Sequence, residues 1–206
     1  MRPLPRVLAM ADARIAARED LGIRAGAIAA AGPLVALVAR LPGGSADALT
    51  ALAARFVALA APPMATVLVT GRADIARATG AHGVIARDGD LPLAELRRLA
   101  PGPGYLHLRS VHDVAGAETA VAEGADALLV GTIWASASHP GRPGAGLGLI
   151  EATARLGCPV FAIGGVTSAR AREARDAGAW GVAAIGALWD AGDSYEAVLE
   201  MVNGER

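Results

Sequence analysis

Two glycine-ended runs that lie close together in the chain hold the residues best suited to chemistry. Val160-Phe161-Ala162-Ile163-Gly164-Gly165-Val166-Thr167 is followed shortly by Gly181-Val182-Ala183-Ala184-Ile185-Gly186-Ala187. Each is an apolar stretch that ends in glycine and leads into a helical segment. Glycine lets the backbone come close to an anion, and the first amides of a helix point at it. Gly164, Gly165, Gly186 and Ala187 are therefore the candidate phosphate-binding residues, and a small phosphorylated molecule is the expected ligand.

Further polar residues stand just past the other apolar runs. They are Asp12 and Arg14, Arg40, Thr70 and Arg72, Asp88 and Asp90, Arg109, Ser110 and His112, and then Thr132, Ser136, Ser138 and His139. Arginine offers a planar fork of donors that matches carboxylate and phosphate. Histidine moves a proton near neutral pH. A ligand with two anionic groups fits this inventory.

Each residue also has a plain structural reading. Arg40, ahead of Leu41-Pro42-Gly43-Gly44, is either an exposed turn residue or an inward-facing cation. Asp74 reads as a helix-start carboxylate. Asp88 and Asp90 flank Gly89 and are either turn residues or ligands. His112 either helps cap a helix or carries protons. His139, beside Pro140-Gly141, is either a loop residue or a catalytic group brought in on closure. His82 and His107 read as structural.

The elements that must position these residues follow from the apolar pattern. Strand-like runs fall at 7–10, 34–38, 66–69, 83–86, 105–108, 127–130, 160–163 and 181–185. Several are almost continuously apolar, as strands buried on both faces are. Helical spacing is found over 46–59, 93–99, 114–123, 147–156, 169–177 and 194–202. Asp113 and Thr167 or Ser168 are the candidate caps. Eight strands alternating with helices predict an α/β fold, a (β/α)8 TIM barrel forming a single compact domain over residues 1–206. In that fold the residues after each strand share one mouth. An open doubly wound sheet is the alternative, but no dinucleotide fingerprint marks its switch point. Segment 136–148, rich in Ser, Gly and Pro, reads as a flexible active-site loop.

Composition narrows the function classes. The 206 residues are 53% hydrophobic, enough for one well-buried core. A net charge of -1 gives no basic field for nucleic acid or a membrane surface, so neither is an expected partner. No apolar run is long enough to span a bilayer, and no signal peptide is expected at Met1-Arg2-Pro3-Leu4-Pro5. The lone cysteine, Cys158, excludes an internal disulfide, suits a cytoplasmic location and reads as a packed thiol. There is no zinc pattern, Walker loop or nucleophile elbow.

Four segments carry a resemblance to a known family. They are Thr70-Gly71-Arg72-Ala73-Asp74-Ile75-Ala76, Arg109-Ser110-Val111-His112, Gly124-Ala125-Asp126 with Gly131, and Ala162-Ile163-Gly164-Gly165-Val166-Thr167. From about Val7 to Leu188 the chain resembles the thiamine phosphate synthase/TenI superfamily. The resemblance implies a compact barrel, a homodimer, and binding of the thiazole phosphate used in making thiamine. It also separates two activities. The synthase branch joins hydroxymethylpyrimidine diphosphate to thiazole phosphate, displacing diphosphate with magnesium (Mg2+). Its usual Gln-Leu-Arg-Glu-Lys is here Val38-Ala39-Arg40-Leu41-Pro42, its Asn-Asp-Arg is Thr70-Gly71-Arg72, and its Thr-x-Thr-Lys is Ser136-Ala137-Ser138-His139. Asp90 matches a metal carboxylate of that branch, whereas Gly71 replaces the second.

The TenI branch, which aromatises a thiazole carboxylate phosphate by proton transfer without a cofactor, is the closer resemblance in Arg109-Ser110-Val111-His112. It implies an isomerase, a thiazole tautomerase, with the substrate carboxylate facing Arg40 or Arg72 and with Ser110, Thr132, Ser136 and Ser138 around the substrate. Thr132 stands where that branch has its proton-shuttling histidine, and a hydroxyl does not titrate near pH 7. His139 or His112 is the expected substitute. The expectation is a tautomerase with no cofactor. The alternatives are a transferase of the synthase type and a non-catalytic phosphate-binding barrel.

Overall fold

The computed structural model describes residues 3–60, 65–99, 102, 104–136, 141 and 143–203. Eight parallel strands run in sequence order around a closed barrel: β1 (Val7–Ala11), β2 (Val35–Ala39), β3 (Thr66–Thr70), β4 (Gly83–Ala86), β5 (Leu106–Val111), β6 (Ala127–Gly131), β7 (Val160–Ile163) and β8 (Gly181–Ala184). β8 closes on β1 through Val7↔Val182 and its neighbours. The helices are α1 (Ala13–Ala16), α2 (Leu21–Ala29), α3 (Ala46–Leu59), α4 (Ala73–Thr79), α5 (Leu93–Leu99), α6 (Val114–Ala122), α7 (Leu147–Ala154), α8 (Ser168–Asp176), α9 (Gly186–Trp189) and α10 (Ser194–Asn203). The chain is thus the (β/α)8 barrel that the alternating pattern predicts.

Side-chain alternation splits the core in two. Leu8, Met10, Ala36, Val38, Leu68, Ile85, Leu106, Leu108, Leu129 and Phe161 fill the barrel interior. The residues between them, such as Val7, Leu37, Val67 and Val130, pack outward under the helices. Successive strand residues face opposite sides, so both sets must be apolar. Each interior series, carried two residues further, sets which side chain reaches the mouth.

Caps start several of the helices. Asp12 Oδ1 accepts from the Ile15 amide at 3.0 Å and opens α1. Asp113 accepts from Gly116 at 2.7 Å and opens α6. Thr167 accepts from Arg170 at 3.3 Å and opens α8. Each such cap contributes about 1 kcal/mol. At the other end of the barrel, Asp126 accepts from the His107 amide at 2.7 Å and from Arg97 at 2.9 Å, fastening β5 and α5 to the start of β6. His107 is buried on the outer face of β5, its ring 5.0 Å from Tyr105, as its structural reading expects. Cys158 is buried just before β7 and donates to the Ala125 carbonyl at 3.5 Å.

Two local differences from the sequence reading have simple causes. Leu34, read as the start of a strand, ends a 3-10 turn that begins at Gly32 with φ 62°, and β2 starts one residue later. β5 continues to Val111 although Arg109 and Ser110 are polar, because they keep the ladder with Leu128 and Leu129 of β6 and Val111 pairs with Val130.

Candidate active site

The bends after β7 and β8 lie at the same end of the barrel, since the two strands are parallel and pair Ile163 with Ala183. Gly164 and Gly165 both have left-handed backbones, with φ 97° and 67°. The chain after β6 rests on them. Ile133 donates to the Ile163 carbonyl at 2.9 Å and Trp134 to the Gly164 carbonyl at 3.1 Å. A Cβ on Gly164 would stand 2.3 Å from Thr132 Cγ2, and one on Gly165 would stand 2.5 Å from the Ala135 carbonyl oxygen. Glycine is therefore required twice, for the torsion and for the approach of the neighbouring loop. The amides of Gly164 and Gly165 have no acceptor among the described residues. Gly186 and Ala187 open α9, where the first amides lack intrahelical acceptors.

Across the mouth, at the ends of β2, β3 and β4, lies a cavity of about 200 Å³. It is lined by Arg40, Thr70, Arg72, Arg87 and the turn Leu41-Pro42-Gly43-Gly44 that leads into α3. Arg40 is partly buried, yet its guanidinium makes no hydrogen bond or ion pair among the described residues. Burial pushes its pKa below the ordinary arginine value; Asp12 partly offsets this and Arg87 adds to it. Thr70 is 9% exposed and its hydroxyl is buried without a partner among the described residues. Leaving such groups unpaired costs free energy that a ligand would recover. Arg72 is more committed, because Asp74 holds it through two hydrogen bonds, one of them 2.8 Å.

Arg87 is the mouth residue that sequence reading missed. The interior series of β4 runs through Ile85, and the next inward position is 87. That parity was the available signal. Arg109 shows the reverse. Sequence reading put it at the mouth, but the extension of β5 turns it outward, where it donates to the Arg87 carbonyl at 3.0 Å and to Glu123 at 3.1 Å. Arg14, also expected at the mouth, is bound by both carboxylate oxygens of Asp190 at 2.9 and 2.8 Å, and Arg18 joins them at 2.9 Å.

His112 stands at the rim, past Ser110 on the inward series of β5. Its Nδ1 donates to the Gly131 carbonyl, and its Nε2 lies 3.9 Å from Asp88 Oδ2. Held this way, the neutral ring keeps the proton on Nδ1 and presents Nε2 as the basic atom. Thr132 is seated against Gly164, and the Ser136 hydroxyl is buried without a partner among the described residues. Ser138 and His139 lie outside the described residues.

The described residues at the mouth do not fit a divalent metal. Asp90 Oδ2 accepts from the Arg87 amide at 2.7 Å, and the carboxylate faces the Arg87 side chain at 3.4 Å. It closes the turn around Gly89, which has φ 81°. Position 71 supplies no second carboxylate. Among the described residues no group of three or more His, Cys, Asp or Glu side chains is placed to hold a metal ion. Among the same residues no helix is long and apolar enough to cross a membrane.

The family model described as thiamine monophosphate synthase matches residues 8–188. Thiamine-phosphate synthase of Mycobacterium sp. (strain KMS) is 41% identical over 139 residues, which is 66% of this chain and 61% of that protein. Thiamine-phosphate synthase of Methanoculleus marisnigri is 43% identical over 131 residues, 63% of this chain and 62% of that protein. The matched region thus spans about three-fifths of these relatives' own length. Among solved structures, thiamine phosphate pyrophosphorylase from Pyrococcus furiosus superposes with a TM-score of 0.81 at 25% identity, covering 98% of this chain and 95% of that one. A 3-hexulose-6-phosphate synthase shares the fold with a TM-score of 0.70 at 21% identity. The names of these relatives fall on the transferase side, not on the isomerase side toward which the Arg109-Ser110-Val111-His112 segment leans. The chain belongs to the thiamine monophosphate synthase family.

Proposed function

We propose that this protein joins a pyrimidine diphosphate to thiazole phosphate with release of diphosphate, as a thiamine phosphate synthase. The observation that carries this reading is two separate sets of unengaged donors on one mouth, the glycine amides after β7 and the Arg40 guanidinium with the Thr70 hydroxyl, among the described residues. The glycine bends after β7 and β8 hold the phosphate of the thiazole through the amides of Gly164, Gly165, Gly186 and Ala187. The arginine cavity at β2, β3 and β4 receives the diphosphate through Arg40, Arg72 and Thr70. Seating the two substrates on opposite sides of one opening points their reacting ends at each other, which lowers the entropic part of the barrier. Positive charge fixed around the departing diphosphate stabilises what builds up in the transition state.

One observation favours a second reading, a thiazole tautomerase. His112 is held by the Gly131 carbonyl with Nε2 as its basic atom, as a proton shuttle requires. In that reading Arg40 or Arg72 takes the carboxylate of the single substrate. Two incubations separate the readings. The protein mixed with hydroxymethylpyrimidine diphosphate and thiazole phosphate is expected to yield thiamine phosphate and diphosphate. Mixed with the unaromatised thiazole carboxylate phosphate alone, it is expected to leave the isomer ratio at its uncatalysed rate. No coupling in the first and fast isomerisation in the second would reverse the choice.

A further inference from the structure

The guanidinium of Arg87 occupies a volume that is informative in itself. A Cβ placed on Gly71 would stand 2.7 Å from Arg87 Nη2, 2.8 Å from Nε and 2.9 Å from Cζ. The space that any side chain at position 71 would enter is therefore already filled by a cation. Gly71 also has φ 75°, a torsion that side-chain-bearing residues rarely take. On its other side the Arg87 guanidinium faces both oxygens of Asp90, whose Oδ2 is fixed by the Arg87 amide. The carboxylate that remains at the end of β4 is thus answered by a guanidinium, and the position across from it carries no carboxylate at all. Next to this pair, inside the same cavity, stand two groups without partners among the described residues: the partly buried Arg40 guanidinium and the nine-tenths-buried Thr70 hydroxyl.

We propose that Arg87 takes the place of a divalent cation at this cavity, so that guanidinium groups and the Thr70 hydroxyl hold a phosphate or diphosphate group without a metal. The inference rests on the reading of this cavity as an anion grip given under Proposed function. It adds how the grip is charged. A guanidinium supplies a permanent positive charge and directional donors to phosphate oxygens. A metal entering here would meet that charge at close range, with Asp90 already engaged by Arg87 and Asp74 by Arg72. The loss of a carboxylate at 71 and the presence of arginine at 87 then form one exchange, because the arginine lies where the missing side chain would be.

The test is calorimetric titration of the whole chain with inorganic diphosphate, first in EDTA and then in excess magnesium. The inference expects binding in EDTA that magnesium does not tighten. It also expects Arg87→Met to weaken binding in EDTA by roughly 10- to 100-fold, the loss typical of one charge-assisted donor, with Arg87→Lys recovering part of it. The comparison of the two buffers uses the unaltered protein and so does not depend on how the variants fold. Tightening of tenfold or more on adding magnesium would overturn the inference while leaving the anion grip standing. Unweakened binding by Arg87→Met would overturn it as well. Absence of binding in both buffers would overturn the grip itself, and with it the proposed coupling.

Discussion

Replacing Gly164 with alanine tests whether the bend after β7 is built as described. Gly164 has φ 97°, and forcing an L-residue into a left-handed torsion costs about 1–2 kcal/mol. Its new methyl would meet Thr132 Cγ2 at 2.3 Å and Thr132 Cα and Cβ at 3.0 Å. Overpacking of that kind costs about 1–3 kcal/mol. Together the two terms predict a loss of roughly 2–5 kcal/mol. A domain of this size loses roughly 2–4 °C of melting temperature per kcal/mol, so calorimetry should show a fall of roughly 4–20 °C. The terms separate in a second variant. Thr132→Ser removes Cγ2 and keeps the hydroxyl, which relieves the clash but not the torsion. The double variant should recover about 1–2 kcal/mol, a coupling within the range seen for residues in contact. If the two losses simply add, or if Gly164→Ala melts with the unaltered protein, the packing of the β6 loop on the β7 bend is not as described.

Two further outcomes follow from charge and burial elsewhere. Burial raises the Asp126 carboxyl, but hydrogen bonds from His107 and Arg97 more than offset it and hold it near about 2, against an ordinary 3.8. A folded value below the ordinary one means the stabilisation is complete above about pH 4 and drains away as the pH falls toward 2. Allowing for its partial exposure, Asp126→Asn should cost about 1 kcal/mol at pH 7 in urea denaturation and flatten the loss of stability between pH 4 and 2. An unchanged slope would remove Asp126 from that role. Burial and the nearby Asp126 charge push the Cys158 thiol up to about 11. A thiol reagent at pH 8 should therefore label native Cys158 at least ~100-fold more slowly than it labels the chain in urea; equal rates would show that the thiol is accessible.

Much of the fold could be read from the chain, for a physical reason. Strands buried on both faces leave near-continuous apolar runs, so Gly83–Ala86 and Val160–Ile163 fall where the sequence puts them. Helices with one clear apolar face, Ala46–Leu59 and Leu93–Leu99, do so as well. The helices Leu21–Ala29 and Ala73–Thr79 were harder, the first being alanine- and glycine-rich and the second short. At the mouth, Arg40, Thr70 and Arg72, each named from the sequence, line one cavity at the ends of β2 and β3. Arg109 faces outward instead, because the strand read as ending at Leu108 continues for three more residues, to Val111. Arg87 went unnoticed because a residue flanking Asp88-Gly89-Asp90 looks like part of a turn. Its inward position comes from the register of β4, which only the closed barrel fixes.

The proposed coupling requires two grips on one opening that hold two phosphorylated groups. The most direct measurement is a crystal structure of the protein grown with thiazole phosphate and inorganic diphosphate together. The thiazole phosphate group should lie within hydrogen-bond distance of the Gly165 and Gly186 amides, with diphosphate against Arg40 and Arg87 on the far side. Both anions in the arginine cavity, or no anion at the Gly165 and Gly186 amides, would contradict this reading.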